Sequence, residues 1–276
     1  MTPRREDPVP ARPDEPAPAG RSASADRPGG RGEPAIRLEG VTKSFDNRMV
    51  LDDISLDVAE GTCFCLLGRS GTGKSVTLKH IIGLMKPDRG RVFVHGTDVT
   101  ELKRRELSAV RRGMGFLFQN AALFDSFTVG ENVAFPLRRH TDWPEQKIRE
   151  TAEAKLADVG LADDFNKMPA DLSGGMKKRA GLARAMALDP DILLVDEPSA
   201  GLDPITGAEI DELLVALKKK GTTLVMVTHN IPSARHVADE LAMLHEGKMI
   251  ARGTAEELDR SDNALVRTFM RSEGAG

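Results

Sequence analysis

A glycine-rich segment at Gly68–Ser75, with the sequence GRSGTGKS, has the residue types needed to hold a phosphate chain. Its glycines let the backbone curl so that successive N–H groups point inward at phosphate oxygens. Lys74 adds a positive charge for the outer phosphates, and the hydroxyl of Ser75 can ligate Mg²⁺. The segment lies between the apolar run TCFCLL and the helix-like run SVTLKHIIGL, which is the context this motif requires. The sequence therefore predicts a nucleotide-phosphate site here.

Two adjacent carboxylates, Asp196 and Glu197, follow the apolar run ILLV at 192–195. Such a run is typical of a buried strand, and α/β sheets hold their ligands at the carboxyl ends of these strands. We expect Asp196 to hold Mg²⁺, through water. We expect Glu197 to act as the general base that polarises a water attacking the outermost phosphate.

Gln119 and His229 each follow a further apolar run, in GFLFQN and VMVTHN. Because parallel strands end at the same edge of a sheet, both side chains are expected beside Glu197. A lone histidine is more often structural, but at this edge His229 is interpreted as a sensor of the outermost phosphate or as a group that positions the water. The amide of Gln119 can reach Mg²⁺ or the same water without adding charge.

A second glycine-bearing segment, LSGGM at Leu172–Met176, begins a helix with a serine and two glycines. The N-terminus of a helix attracts anions, so Ser173, Gly174 and Gly175 form a second candidate phosphate contact. The chain already contains a more complete phosphate loop. The segment therefore raises the question of whose phosphate it contacts.

The elements that must position these groups are predicted from periodicity. AIRLEGVTKSF and VLDDISLDV alternate apolar and polar residues, as half-buried antiparallel strands do, whereas ILLV and TLVMV indicate buried parallel strands. A helical insert is predicted at about 120–180, where Ile148 and Ala152 line one face of a helix that Pro144 begins and Gly160 ends. LHEGKMIARG indicates a late hairpin. The predicted fold class is α/β, with a parallel core split by the helical insert.

The ends and the overall composition exclude several classes of protein. A net charge of −3 gives no global indication of nucleic-acid binding, and the basic run LKRRELSAVRR has the apolar spacing of a solvated helix face. No apolar run approaches the roughly 18 residues that cross a bilayer, so we expect a cytosolic chain or one attached to a membrane through another protein. Residues 1–34 are rich in proline and arginine and are predicted to be a disordered tail. The ordered domain is expected over 35–271, followed by a tail at 272–276.

Taken in order, these segments resemble the motifs of ABC-type ATPases. The matching motifs are the A-loop aromatic residue Phe45, the Walker A loop Gly68–Ser75, the Q-loop Gln119, the signature Leu172–Met176, the Walker B pair Asp196–Glu197, the D-loop Ser199–Asp203 and the H-loop His229. The resemblance covers about residues 35 to 270. It implies a P-loop ABC-type fold with a parallel core sheet, an antiparallel β subdomain and a helical subdomain.

The resemblance also implies that ATP and Mg²⁺ are bound between two copies of the chain, paired head to tail. The implied ATP contacts of one copy are Phe45, Gly68, Arg69, Ser70, Gly71, Thr72, Gly73, Lys74, Ser75 and Thr77, and those of the other copy are Ser173, Gly174 and Gly175. The implied Mg²⁺ ligands are Ser75, Gln119 and Asp196, and the implied catalytic groups are Glu197, His229 and Gln119. Phe45 stands where the family usually has tyrosine, which keeps the stacking ring and loses the hydroxyl.

Within that family, three runs resemble the Mla/Mce-type ATPases of bacterial phospholipid transporters. They are FQNAALF, NVAFPLRRHT and LSGGM, in which Met176 replaces the commoner glutamine. The resemblance implies an ATP-hydrolysing subunit at the cytoplasmic face of the inner membrane, attached through an integral-membrane permease. It further implies an MCE-domain protein, a STAS-domain protein and a phospholipid substrate, in a system of the outer-membrane lipid asymmetry type, with no nucleic acid.

Two alternatives stay open at this point. The ATPase of a small-metabolite importer would carry the same motifs, although the short stretch after His229 argues against the regulatory domain of many methionine importers. An ABC ATPase without a transport role, acting in DNA repair or translation, usually has two cassettes or a long coiled-coil insert. This sequence has one cassette and no heptad run.

A group of apolar residues just after Gln119 also has two interpretations. Ala122, Leu123, Phe124 and Phe127 could receive a helix of a permease, so that the Mg²⁺ site would respond to the partner through Gln119. They could equally form the core of the helical insert, and both interpretations can hold for different residues.

Overall fold

The computed structural model describes residues 33–272, so the tails predicted at 1–34 and 272–276 lie almost entirely outside the described residues and stay predictions. The strands are β1 (Ile36–Phe45), β2 (Arg48–Val58), β3 (Cys63–Leu67), β4 (Arg89–Val94), β5 (Thr97–Asp98), β6 (Met114–Leu117), β7 (Ile192–Asp196), β8 (Thr223–Thr228), β9 (Glu240–His245) and β10 (Lys248–Gly253). The α-helices are α1 (Lys74–Ile81), α2 (Arg104–Arg112), α3 (Val129–His140), α4 (Glu145–Asp158), α5 (Gly174–Ala185), α6 (Pro204–Lys219), α7 (Ile231–Val237), α8 (Ala255–Asp259) and α9 (Ala264–Arg271). Within residues 33–272, no helix combines the length and the apolar character that a bilayer crossing requires.

A four-stranded antiparallel sheet, in the order β2-β1-β4-β5, forms the first part of the fold. The predicted alternation of β1 and β2 is confirmed. Leu38 pairs with Leu56 and both are buried, whereas their neighbours along each strand, which point to the other face of the sheet, are more exposed. The two strands are joined by Asp46 and Asn47, with φ of 47° and 63°. Two successive left-handed residues are typical of the tight turn that joins antiparallel strands.

A six-stranded sheet, in the order β10-β9-β3-β8-β7-β6, forms the centre of the fold. Its neighbours run parallel except for the antiparallel β9–β10 pair, which is the predicted hairpin. Every residue of β3, β7 and β8 is buried, so the prediction of buried parallel strands is confirmed. Because these strands end at one edge of the sheet, the residues that follow them are brought together there.

The six-stranded sheet lies between two hydrophobic cores. Alternate residues of β3 face opposite sides, so Cys63 and Cys65 pack in one core with α5, α6 and α7. Phe64 and Leu66 pack in the other core, with α1 and the antiparallel sheet. Each fully buried side chain of the larger kind contributes about 1.5–3 kcal/mol. Burial on both faces therefore fixes the strand from which the phosphate loop emerges.

Helices α3, α4 and α5 lie in sequence between β6 and β7. Helix α4 buries Ile148, Ala152 and the other apolar residues of its predicted face. Its N-terminal cap is Pro144, and Gly160 adopts a φ of 71° just after it ends, as the sequence indicated. Helix α5 begins with the second glycine-bearing segment and packs against both α3 and α6. The segment Leu172–Met176 therefore lies at the N-terminus of a helix that is packed on two others.

Candidate functional site

The predicted phosphate loop, Gly68–Ser75, joins β3 to α1. Lys74 is buried at the first residue of α1, and its Nζ donates to two carbonyl oxygens of the loop, at 2.7 and 3.1 Å. Gly73 has a φ of 104°, and a Cβ at this position would lie 2.8 Å from the carbonyl oxygen of Val50. Glycine is therefore needed here both for the left-handed backbone and for the close approach of β2. The loop curls around a positive charge, as phosphate binding requires.

Ser75 and Asp196 form the pair that can hold Mg²⁺. The Oγ of Ser75 donates to Oδ1 of Asp196 at 2.9 Å, at the meeting point of α1 and β7. Burial raises the pKa of Asp196, and the hydrogen bond from Ser75 works against that rise. Hydroxyl and carboxylate oxygens are hard ligands of the kind that Mg²⁺ takes. No three His, Cys, Asp or Glu side chains converge as a metal site in residues 33–272. The side chains that could supply oxygen ligands here are Ser75, Asp196 and Gln119.

The carboxylate of Glu197 is held between three partners. Its Oε1 lies 3.2 Å from Nζ of Lys74, and its Oε2 accepts hydrogen bonds from Nδ1 of His229 at 2.9 Å and from Oγ1 of Thr228 at 3.0 Å. Burial opposes the charge of Glu197, but the hydrogen bond from His229 and the charge of Lys74 outweigh it. The pKa of Glu197 is consequently lower than usual, and the group is ionised near neutral pH, as a general base must be.

The backbone of Glu197 is also held on both sides. Its φ of 48° is left-handed, which costs a residue with a side chain roughly 1–2 kcal/mol. Its N–H donates to the carbonyl oxygen of Val227 at 2.9 Å, and its carbonyl oxygen accepts from Nζ of Lys178 at 2.7 Å. Burial lowers the pKa of Lys178 to about 8, although the carboxylates of Asp196 and Glu197 favour its charged form. The turn after β7 is therefore stabilised by a buried lysine from α5.

One cavity of about 210 Å³ brings together most of the residues that the sequence placed in one site, but Asp196, Gly68, Arg69 and Thr72 do not line it. It is lined by Lys74, Ser75, Gln119, Glu197 and His229, which come from four separate segments of the chain. The side chain of His229 is 46% exposed, so a ligand entering the cavity can contact it. The arrangement provides a positive charge, oxygen ligands and an ionised carboxylate around a single space.

The signature segment lies elsewhere, and none of Leu172–Met176 lines this cavity. Ser173 is the N-terminal cap of α5, and its exposed Oγ accepts the N–H of Met176 at 3.3 Å. A Cβ at Gly175 would lie 2.3 Å from Cγ2 of Thr206, so this glycine allows α5 to pack against α6. Gly174 is exposed beside Ser173. The serine and the first glycine thus face outward from their own chain.

Phe45 and Thr77 do not line the cavity either. Phe45 ends β1 and is 40% exposed, with its ring centroid 5.4 Å from Nζ of Lys43. The hydroxyl of Thr77 is buried and donates to the carbonyl oxygen of Gly73 at 3.2 Å. The Phe45 ring is available for stacking on an aromatic base, whereas the Thr77 hydroxyl is engaged by the loop backbone.

Sequence reasoning missed four residues of the site, which are Thr228, Lys178, Val50 and Val76. Thr228 is fully buried, and its Oγ1 bonds Glu197 while accepting the N–H of Asn230 at 3.0 Å. Its position directly before His229 at a strand end was the available signal. Lys178 belongs to the basic run KKRAGLAR, whose pattern does not distinguish a buried lysine from a solvated one. Val50 lines the cavity from β2, and nothing in its periodicity indicated this.

The apolar residues after Gln119 differ in their burial. Leu123 packs against the core, whereas Phe124 is 43% exposed. The Phe124 ring lies 5.3 Å from that of Phe127 and 5.0 Å from that of Phe135. Phe124 and Phe135 line a second cavity of about 330 Å³, together with Arg184 and other residues. We call this cavity the aromatic groove.

Comparison with known proteins agrees with this geometry. Residues 51–200 match the ABC transporter family. A probable ribonucleotide transport ATP-binding protein of Mycobacterium leprae is 45% identical over 243 residues, which is 88% of this chain and 70% of that protein. An intermembrane phospholipid transport system ATP-binding protein of Haemophilus influenzae is 40% identical over 242 residues, 87% of this chain and 92% of that protein. Its Escherichia coli K12 counterpart is 39% identical over 236 residues, with coverages of 85% and 88%.

Solved structures show the same fold. A dimeric bacterial ABC transporter cassette has a TM-score of 0.75 and 34% identity, over 79% of this chain and 98% of that one. A dimeric ATP-binding cassette in a post-hydrolysis state, bound to ADP and Pi, has a TM-score of 0.74 and 33% identity over the same shares. The family match spans more than half of the chain. The chain therefore belongs to the ABC transporter family, as one of its ATPases.

Proposed function

We propose that this ATPase powers phospholipid movement at the bacterial inner membrane, as a peripheral subunit bound to the cytoplasmic face of a permease. The observation that carries the proposal is the 40% identity with the Haemophilus influenzae phospholipid transport protein, which extends over 92% of that protein. A likeness of that extent is not confined to the short motifs that ABC ATPases share. An MCE-domain protein and a STAS-domain protein are further proposed partners, because FQNAALF, NVAFPLRRHT and LSGGM resemble the Mla/Mce-type ATPases.

The proposed reaction is hydrolysis of ATP in the cavity at the edge of the six-stranded sheet. Lys74 and the loop N–H groups bind the phosphates, and Glu197 accepts the proton of a water that attacks the outermost phosphorus. The bond to the leaving oxygen breaks, which gives ADP and inorganic phosphate. A Mg²⁺ ion held by Ser75, Gln119 and Asp196 would neutralise the charge on the transferred group. His229, exposed beside Glu197, orients the water or contacts the phosphate.

A second copy of the chain is proposed to complete the site. Ser173 and Gly174 are exposed and lie outside the cavity of their own chain, at the positive end of a 12-residue helix. Paired head to tail, each copy would present these residues to the ATP of the other. The dimeric cassettes with similar folds support this arrangement. ATP then drives closure because it contacts both copies only in the closed state.

The aromatic groove is the proposed contact with the permease. Its lining includes the exposed rings of Phe124 and Phe135, and also Phe118 and Ala122, which lie on either side of Gln119 in the chain. A helix in the groove could therefore influence the Mg²⁺ site through Gln119. Phe124→Ala should uncouple ATP hydrolysis from transport while ATP affinity stays within about twofold, since the ring does not line the phosphate cavity. Both activities are measured in reconstituted vesicles. Trp143→Ala, which removes another exposed aromatic ring, is the control, and normal transport by the Phe124 variant would exclude the groove as the coupling surface.

One specific observation favours a second function, the transport of ribonucleotides. The Mycobacterium leprae protein whose name includes that activity is 45% identical to this chain, more than the phospholipid transport proteins above. The match covers 70% of that protein, compared with 92% of the Haemophilus influenzae protein. Greater coverage of the whole relative is the reason that phospholipid transport is preferred.

Purification of the native membrane complex separates these functions. Mass spectrometry of bound molecules should find phospholipid, and vesicles containing the complex should transfer a labelled phospholipid when ATP is added. A complex containing Glu197→Gln should bind the same lipid and not transfer it. Recovery and ATP-dependent transfer of ribonucleotides instead would favour the second function. Copurification of ribosomes or DNA without a permease would contradict a transport role altogether.

A further inference from the structure

Lys178 is a buried charge that the reaction described above does not use. It lies in α5, one turn after the exposed Ser173 and Gly174, and is 4% exposed. Burying an ammonium is unfavourable unless it has hydrogen-bonding partners. Within residues 33–272 its hydrogen-bond acceptor is the carbonyl oxygen of Glu197, 2.7 Å from Nζ. The buried ammonium of Lys178 therefore has the backbone of Glu197, the proposed general base, as its partner.

The carbonyl that Lys178 contacts belongs to a turn with an uncommon conformation. Glu197 is left-handed, and the same carbonyl oxygen also accepts the N–H of Ala200 at 3.3 Å. The N–H of Glu197 is fixed from the other side by Val227 of β8. Such a conformation persists where the surroundings over-determine it. Lys178 supplies the contact from the α5 side.

The orientation of this peptide determines where the Glu197 carboxylate lies. The rotamers available to a side chain depend on its backbone angles, so a rotation of the peptide moves the carboxylate. Its oxygens contact Lys74 at 3.2 Å and His229 at 2.9 Å, so a small displacement would disturb both contacts. Misplacement by about 1 Å can reduce a catalytic rate about 100-fold.

Helix α5 connects this contact to the signature. Ser173 caps the helix, and Gly175 packs within van der Waals distance of Thr206 in α6. A shift of the first turn of α5 would thus move Lys178 with it, because the helix is continuous from Gly174 to Ala185. The one polar contact between this turn of α5 and Glu197 in residues 33–272 is the Lys178 hydrogen bond.

We propose that Lys178 is a positioning residue that holds the Glu197 peptide in its catalytic orientation and relays the position of the signature helix to the general base. This inference rests on the role proposed above for Glu197. Lys178 does not line the cavity, and its hydrogen bond within residues 33–272 goes to the backbone of Glu197. It also links the outward-facing segment of a chain to the hydrolysis centre of that same chain.

The test compares Lys178→Met with Lys177→Met in the full-length ATPase. Both variants replace a lysine of the same helix turn with an apolar side chain of similar length, but Lys177 has no such contact with Glu197. Lys178→Met should lower kcat about 10- to 100-fold while KM and ATP affinity stay within about twofold. Lys177→Met should change neither, and Lys178→Arg, which retains a charged donor, should restore part of the lost kcat. An unchanged kcat per folded molecule in Lys178→Met would overturn the proposal.

Two further measurements separate this proposal from its premises and from a simple loss of stability. If Lys178 acts through Glu197, the double variant Lys178→Met/Glu197→Gln should hydrolyse ATP no more slowly than Glu197→Gln alone. An additional loss in the double variant would overturn the positioning role while leaving Glu197 as the base. A normal rate of ATP hydrolysis by Glu197→Gln alone would instead show that Glu197 is not the general base. If Lys178→Met unfolds, Lys178→Gln, whose uncharged side chain is one atom shorter than lysine, is compared with Lys177→Gln, and equal kcat values would contradict the proposal.

Discussion

The chain begins two helices with glycine-bearing segments, and the two segments differ in what surrounds them. At Gly68–Ser75 the loop is enclosed by β2 and the edge of the sheet, and its lysine lies in a cavity with the carboxylate of Glu197. At Leu172–Met176 Gly175 serves the packing of α5 on α6, while Ser173 and Gly174 face outward. Similar residue types therefore make one enclosed cavity within the chain and one exposed segment, which we propose above as half of a site shared between two copies. The difference shows that glycine next to a helix does not by itself indicate a complete anion site.

The largest expected effect is at the end of β7. Glu197→Gln should lower the rate of ATP hydrolysis about 10²- to 10⁴-fold, because the amide cannot accept the proton of the attacking water. ATP binding should be retained, and a dimer should accumulate with ATP. Single-turnover hydrolysis and light scattering measure the two effects. A variant that hydrolyses ATP at the normal rate would show that another group is the base.

The next largest effect is expected at Ser173, in the outward-facing segment Leu172–Met176. Ser173→Ala should bind ATP at the loop almost normally but lose about 100-fold in turnover, since a donor to the transferred phosphate is missing from across the interface. Equilibrium binding at low protein concentration and turnover at high concentration are the measurements. Equal losses in binding and turnover would place Ser173 at the phosphate of its own chain.

In the enclosed phosphate loop, a substitution should weaken ATP binding itself, in contrast to Ser173→Ala. Lys74→Ala should weaken ATP binding about 10- to 100-fold, because charge-assisted hydrogen bonds to the phosphates are lost.

Mixing the Lys74→Ala and Ser173→Ala proteins tests whether the two segments belong to one shared site, since a mixed dimer has one site with both residues intact. Equal amounts should recover about a quarter of the normal rate if copies exchange freely. No recovery in a mixture that demonstrably forms mixed dimers would contradict the shared site.

The smallest effect concerns stability alone. Gly175→Ala should lower the free energy of unfolding by about 1–3 kcal/mol, because the new Cβ would overlap Cγ2 of Thr206 at 2.3 Å. Thr206→Ser removes that methyl group and keeps the hydroxyl that donates to Asp203 at 2.6 Å. The double variant should therefore recover most of the loss in a denaturant titration. A Gly175→Ala protein as stable as the parent would show that α5 can shift without cost.

Much of the site could be predicted because its residues follow short apolar runs. ILLV and TLVMV fixed the strand ends at which Asp196 and His229 lie, since burial on both faces of a parallel strand leaves a continuous apolar signature. Lys178 could not be found in this way, because its partner is a backbone carbonyl brought near only by the packing of α5. Thr228 had only its position before His229 as a signal, and a threonine at a strand end is equally typical of an ordinary β-strand. Tertiary contacts to backbone atoms leave little trace in composition or spacing.

The burial of β3 on both faces has a consequence for the redox chemistry of the chain. Its two thiols, Cys63 and Cys65, are fully buried, and burial raises the pKa of Cys63 to about 12. The thiolate is the form that oxidants and alkylating reagents attack, so the folded chain protects both sulfurs. Modification of these thiols therefore indicates that β3 has unfolded, together with the start of the phosphate loop that follows it. Loss of nucleotide binding and sulfur labelling should therefore proceed at the same rate during denaturation.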